Sequence, residues 1–128
     1  MSTSAAILLG ALMVAHYLGD FTPLATARMQ RAKANGGPVG PIAAHAAVHG
    51  LLVGLAVLIV IRPSASVLAL AAGLELAVHF ALDATRARLG ADVPALADPN
   101  SNLFWWALGL DQLLHGLVLI GIAVLVLG

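Results

Sequence analysis

Three stretches of this chain are apolar over the thickness of a bilayer, and a fourth is nearly so. A spanning helix needs about 20 apolar residues at a rise of about 1.5 Å each. Ile42 to Ile61 meets that length, bounded by Gly37-Pro38 and Pro41 before it and Arg62-Pro63 after it. Ala65 to Leu82 follows, running on to Arg86 and Arg88. Leu103 to Leu127 comes last and opens on Phe104, Trp105 and Trp106, which suit an interfacial aromatic belt. Hydrophobic residues make up 61% of the 128-residue chain and charged residues only 9%, against about 25% charged in a soluble domain. Such a chain would expose adhesive surface in water, so a lipid bilayer is its natural solvent.

The first apolar stretch, Ala5 to Leu18, is short and has to continue through Gly19-Asp20-Phe21 and past Pro23. Pro23 lacks a backbone donor and frees the Gly19 carbonyl, so a kink or break is expected near Asp20, with Ala25 to Ala34 as an interfacial extension. Met1 to Gly10 contain no Lys or Arg, and His16 and Asp20 follow. A secretory signal has a basic start and a clean apolar centre, so the segment reads as a retained first helix. The expected fold is an all-α, antiparallel four-helix bundle integral to a membrane, one domain over residues 1–128, with helix 1 kinked near Pro23. Gly50 and Gly54 form a GxxxG on helix 2, where close helix packing and chance in a Gly-rich chain are equally good readings.

With four spans, the loops after helices 1 and 3 share one side of the membrane. That side holds Arg28, Arg31, Lys33, Arg86 and Arg88, and the other holds only Arg62. Basic residues favour the cytoplasm, which puts both termini outside it and the protein in the cell's inner (plasma) membrane. Arg28, Arg31 and Lys33 are read as topology determinants, although a phosphate or phospholipid headgroup would also be drawn to them. The net charge is zero with no basic run, so nothing points to nucleic acid. The chain has no Cys, which removes disulfides, thiolate ligands and a Cys nucleophile.

The titratable residues inside the apolar spans are few and patterned. They are His16 and Asp20 in HYLGD, His45 and His49 in HAAVH, His79 and Asp83 in HFALD, and Asp111 and His115 in DQLLH. Each pair is spaced i, i+4, which places both side chains on one helix face. All five histidines of the chain fall in these pairs, and Glu75 extends one stripe by a turn before His79. Counted from the basic ends of their helices, the four pairs lie at similar depth, in the cytoplasmic half of the bundle.

A charged Asp at mid-helix costs about 2.5–3.5 kcal/mol on insertion scales. Of the six acidic residues, Asp20, Glu75, Asp83 and Asp111 lie within or at the edge of the spans, and the six basic residues lie at the flanks. Arg86 is placed to reach Asp83 at i+3, and no basic side chain is placed for Glu75 or Asp111. A divalent ion would balance two carboxylates and order the imidazoles at once. Imidazole with carboxylate suits a transition metal such as Zn, Fe or Mn, as one or two ions. The candidate ligands are His16, Asp20, His45, His49, His79, Asp83, Asp111 and His115. Asp20 and Glu75 are candidates for an outer, orienting role or for a general base.

Single histidines in membrane helices are more often hydrogen-bond partners between helices than ligands. Four pairs at one spacing and one depth turn that balance toward a metal. A proton relay and polar pairs that only fix helix register compete with it.

HYLGDF at 16–21, HAAVH at 45–49, HFALD at 79–83 and DQLLH at 111–115 resemble the blocks of a bacterial family of small membrane proteins, domain of unknown function 3307. The likeness runs from helix 1 to helix 4 and falls on the eight paired residues. The family pattern places a Gln a few residues after DF, whereas here Ala25 or Thr26 stands there and Gln30 lies further on. The family name states no activity. In architecture and ligand types the chain is also similar to small membrane proteins regarded as metal-dependent hydrolases. The expected function is therefore a metal-binding membrane protein, with hydrolysis of a membrane-soluble ester or phosphoester as the favoured chemistry. A divalent-metal or proton transporter or channel and a di-iron oxidoreductase are the alternatives. Helix 2 after Gly54 and helix 4 after Gly116 are purely apolar, which counts against a pore through one copy and leaves a path between copies of a homo-oligomer open.

Overall fold

The computed structural model describes residues 2–128. Every described element is helical, and each long helix starts where a hydroxyl or a proline can begin one. Helix α1 runs Thr3–Phe21, with the Ser2 hydroxyl accepting from the Ala5 amide. Thr22, ahead of Pro23, takes extended backbone, as a residue before proline does. The interruption expected near Pro23 therefore falls just after Phe21. At 19 residues α1 is still about 28 Å long, enough to cross the hydrocarbon core without continuing past the proline.

The chain restarts as a separate short helix, α2, at Ala27–Asn35, capped by Thr26 on the Met29 amide. Gly36 ends it in the left-handed region at φ 62°, its N–H bonding the Ala32 carbonyl, a conformation glycine adopts without steric cost. Helix α3 spans Val39–Val60, α4 Ala65–Asp92 and α5 Asn102–Leu127. Ser64 and Ser101 cap α4 and α5, and a 3₁₀ turn at Pro94–Leu96 lies between these two helices. The four long helices, α1, α3, α4 and α5, are each long and apolar enough to cross a membrane.

The helices pack antiparallel in sequence order. Along α3, His45, His49 and Gly54 face α4 at Asp83, Glu75 and Ala72 in turn. At Gly50 a methyl group would stand 2.9 Å from the Ala72 carbonyl oxygen and 3.1 Å from Leu76 Cβ. Of the two readings of the GxxxG, close backbone approach is the one the packing bears out, against α4 of the same chain. Helix α2 lies against α3 and α4 at one end of the bundle.

The interior is divided. One half is an apolar core of Leu8, Leu12, Val53, Val57, Ala71, Leu119 and Ile122. At the other end Ala32, Ile42 and Ala87 form a small apolar lid under α2. Between them the interior is polar: Asp20, His45, His49, Glu75, His79, Asp83 and His115 are all buried. The outside is the reverse, with Leu51 74%, Met13 68% and Val124 68% exposed. Buried acids and imidazoles inside an apolar exterior are the pattern of a bundle solvated by lipid.

Candidate metal centre

The i, i+4 spacing does locally what helix geometry requires. His16 Nε2 lies 3.4 Å from Asp20 Oδ2 on α1. On α4, His79 lies between Glu75 Oε1, 3.2 Å from Nδ1, and Asp83 Oδ2, 3.4 Å from Nε2. Packing then brings the four faces together. The ring centres of His49 and His79 are 3.7 Å apart, those of His79 and His115 4.3 Å, and those of His45 and His49 4.7 Å. His16 closes the group at 5.2 Å from His49 and 5.3 Å from His115. His79 neighbours all four other imidazoles and so stands at the centre.

Carboxylates from two helices interleave with the rings. Asp20 Oδ1 stands 3.0 Å from His45 Nε2 and 3.4 Å from His49 Nε2. Asp83 Oδ1 is 3.9 Å from His115 Nε2. His115 Nδ1 is 2.8 Å from the Asp111 carbonyl oxygen. A carbonyl only accepts, so Nδ1 carries the proton and Nε2 presents a bare lone pair to the cluster, the arrangement of a metal-ligating histidine.

Three sets of ligand atoms lie within 4.8 Å of one another: His16, His49, Glu75 and His79; Asp20, His45, His49 and His79; and His79, Asp83 and His115. Metal–ligand bonds of about 2.0–2.2 Å to N and O fit sets of that width after small side-chain movements. Among the described residues, nine buried side-chain atoms have no aligned hydrogen-bond partner, among them His49 Nδ1 and Nε2, His79 Nε2, Glu75 Oε2, both Asp83 oxygens and His115 Nε2. Asp83 Oδ2 does lie 3.1 Å from the Lys33 ammonium, so its pairing is ionic without hydrogen-bond alignment. A buried unpaired polar group costs about 1–3 kcal/mol, and every residue carrying one of these atoms belongs to the three sets. The donor set could therefore hold a metal ion.

Asp111 stands apart. Its carboxylate is 3.8 Å from His115 Nδ1 and belongs to none of the three sets. Glu75, by contrast, lies inside the cluster rather than one turn off it, its Oε1 within 4.0 Å of His49 Nδ1.

Two side chains not read from the sequence as part of the cluster belong to the site. Lys33, read there as a topology determinant, reaches in from α2 to Asp20 Oδ1 at 3.2 Å and Asp83 Oδ2 at 3.1 Å. Burial pushes its ammonium toward neutrality, but the Asp83 and Asp20 carboxylates outweigh that and hold its pKa above the ordinary lysine value. The sequence offered no signal for this, because Lys33 is thirteen residues from Asp20 across the Pro23 break. Gln112 bridges His16 Nε2 at 3.2 Å and Asp20 Oδ2 at 3.3 Å. Its place inside DQLLH was the available signal.

The expected Arg86–Asp83 pair is corrected. Arg86 Nη2 donates instead to the Leu96 carbonyl at 2.7 Å, tying the 3₁₀ turn to α4, and Lys33 is the cation beside Asp83. Gln30, further along than the family pattern places its Gln, donates to the Asp20 carbonyl at 3.0 Å and anchors α2 to the end of α1.

A cleft of about 380 Å³ opens beside the cluster under α2. Asp20, Gln30, Lys33, Arg86, Asp111 and Gln112 form its polar wall, and Phe21, Phe104 and Leu108 are among its apolar lining.

The family model described as "Protein of unknown function (DUF3307)" matches residues 8–128. The chain belongs to this family. The DUF3307 match takes in every side chain of the cluster, so the resemblance read from the four blocks holds across the helices that carry them. Nothing matches among curated proteins or among solved structures.

Proposed function

We propose that this DUF3307 chain is an integral membrane metalloprotein. Its His/Asp/Glu cluster holds a divalent transition ion, Zn, Fe or Mn, and its cleft admits a membrane-soluble ester or phosphoester for hydrolysis. The observation that carries the reading is the convergence of five imidazoles with buried, unpartnered nitrogen and carboxylate atoms. Bound there, a divalent ion polarises an ester or phosphoryl oxygen and acidifies water.

The chain's own groups divide the remaining work. Asp20 lines both cluster and cleft, so of the two candidate bases it is the one that can take a proton from a molecule in the cleft. Glu75, buried beside His79, orients that imidazole. Gln112 and Lys33 hold the Asp20 carboxylate in place. The apolar wall suits an acyl or prenyl chain arriving from the bilayer. The cluster would lie in the cytoplasmic half of the inner membrane, with both termini outside.

Transport is the weaker reading. Leu8, Leu12, Val53, Val57 and Ile122 are wholly buried beyond the cluster and offer no polar step toward the other face. The same ligand types also serve di-iron oxidoreductases, so the metal identity is itself informative.

The test is metal analysis of protein purified in detergent without added metal, beside a His49→Ala, His79→Ala variant. Stoichiometric metal in the wild type that is lost in the variant is expected. Equal, substoichiometric metal in both would sink the reading. Ester hydrolysis against ion flux in proteoliposomes then separates catalysis from transport.

A further inference from the structure

Lys33 is the chain's sole lysine, and its ammonium sits where a metal ion could. Nζ lies 3.2 Å from Asp20 Oδ1, 3.1 Å from Asp83 Oδ2 and 3.1 Å from His45 Nε2. Two carboxylate oxygens and a ring nitrogen are donors a transition ion takes. The packing around His45 is frustrated. Its Nε2 stands between an ammonium, which only donates, and Asp20 Oδ1, which as a carboxylate only accepts, at 3.0 Å. Whichever tautomer forms, one of the two contacts goes unmet. An ion bridging Nε2 and Oδ1 would satisfy both atoms at once.

Charge counting agrees. The buried carboxylates of the cluster are those of Asp20, Glu75 and Asp83, and Lys33 is the basic residue paired with them among the described residues. With the imidazoles neutral, as ligands must be, three negative charges against one positive leave two that a single divalent ion closes. Among the described residues the polar contacts of Lys33 are with Asp20, His45 and Asp83, which leaves the set His16, His49, Glu75 and His79 to take that ion.

We propose that the cluster has two cation positions, one for a divalent ion among His16, His49, Glu75 and His79, and a second, among Asp20, Asp83 and His45, that Lys33 occupies as a tethered competing cation. This rests on the metal-binding reading above. With Lys33 in place the centre is mononuclear. Removing the ammonium opens the second position to a second divalent ion, at the edge of the cleft.

The experiment is metal stoichiometry of the full chain in detergent, stripped with chelator, reloaded with zinc and desalted. The wild type should keep one ion per chain, Lys33→Met two, and Lys33→Arg one. One ion in both the wild type and Lys33→Met, or two in both, overturns this inference while leaving the metal site standing. No ion in either overturns the metal reading and this inference with it.

A second readout needs no variant. Excess zinc should release Lys33 and raise its acetylation by an amine reagent several-fold, read by peptide mass spectrometry. A second zinc ion bound while acetylation stays unchanged likewise overturns it.

Discussion

Gly19 of α1 presses its bare Cα against the imidazole of His49 on α3. A methyl group at position 19 would collide with the ring, reaching within 2.8 Å of Cδ2 and closer to Cε1 and Nε2. The smallest residue thus lets α1 approach one of the central rings of the cluster, between His16 and Asp20 on the same helix.

Gly19→Ala should therefore behave against helix propensity. In an open helical position the change stabilises by up to about 1 kcal/mol. Here overpacking costs about 1–3 kcal/mol, and the side chain that must move is His49. A lower thermal midpoint in detergent and weakened zinc retention are expected. A variant more stable than the wild type with unchanged zinc would show that the contact is not made.

Asp83 and Asp111 should separate sharply. Asp83 is fully buried against Lys33 and His79, whereas Asp111 lies at the cleft, outside the ligand sets. Asp83→Asn leaves the Lys33 ammonium short of one partner, and breaking a buried pair costs about 3–5 kcal/mol. Asp111→Asn should cost under about 1 kcal/mol. Unfolding titrations of the two metal-free variants provide the comparison, and equal losses would contradict the geometry.

Leu51 faces outward near the middle of α3 and is 74% exposed. If lipid is the solvent, Leu51→Lys adds about 2.5–3.5 kcal/mol to insertion and should reduce the membrane-integrated fraction after carbonate extraction. In a water-soluble bundle the same change would be harmless or would improve solubility.

Sidedness is open to direct labelling, because the chain carries no cysteine of its own. In intact cells, Ser64→Cys should react with a membrane-impermeant maleimide and Ser101→Cys only after permeabilisation. The opposite pattern would invert the placement of the cluster.

Much of this protein was legible one helix at a time. The four long apolar helices, the break at Pro23 and the facing of His16 on Asp20 and His79 on Asp83 follow from the length a bilayer demands, the geometry of proline and a period of 3.6 residues. The same local logic misjudged partners that lie across space. Arg86 is correctly spaced for Asp83 along α4, yet it turns to the Leu96 carbonyl, and a lysine from the far side of the helix break at Pro23 takes its place. Asp111 shares the spacing of the other pairs but not their convergence.

The sequence by itself therefore determined which residue types lie on which helix faces and at what position along each helix, because spacing along one helix is a property of the backbone. Only the tertiary structure decided that His79 is central, that Gly19 makes room for His49 and that Lys33 sits among the carboxylates. Those distances depend on how closely helices approach and where α2 folds back, which side-chain volumes across different helices settle together.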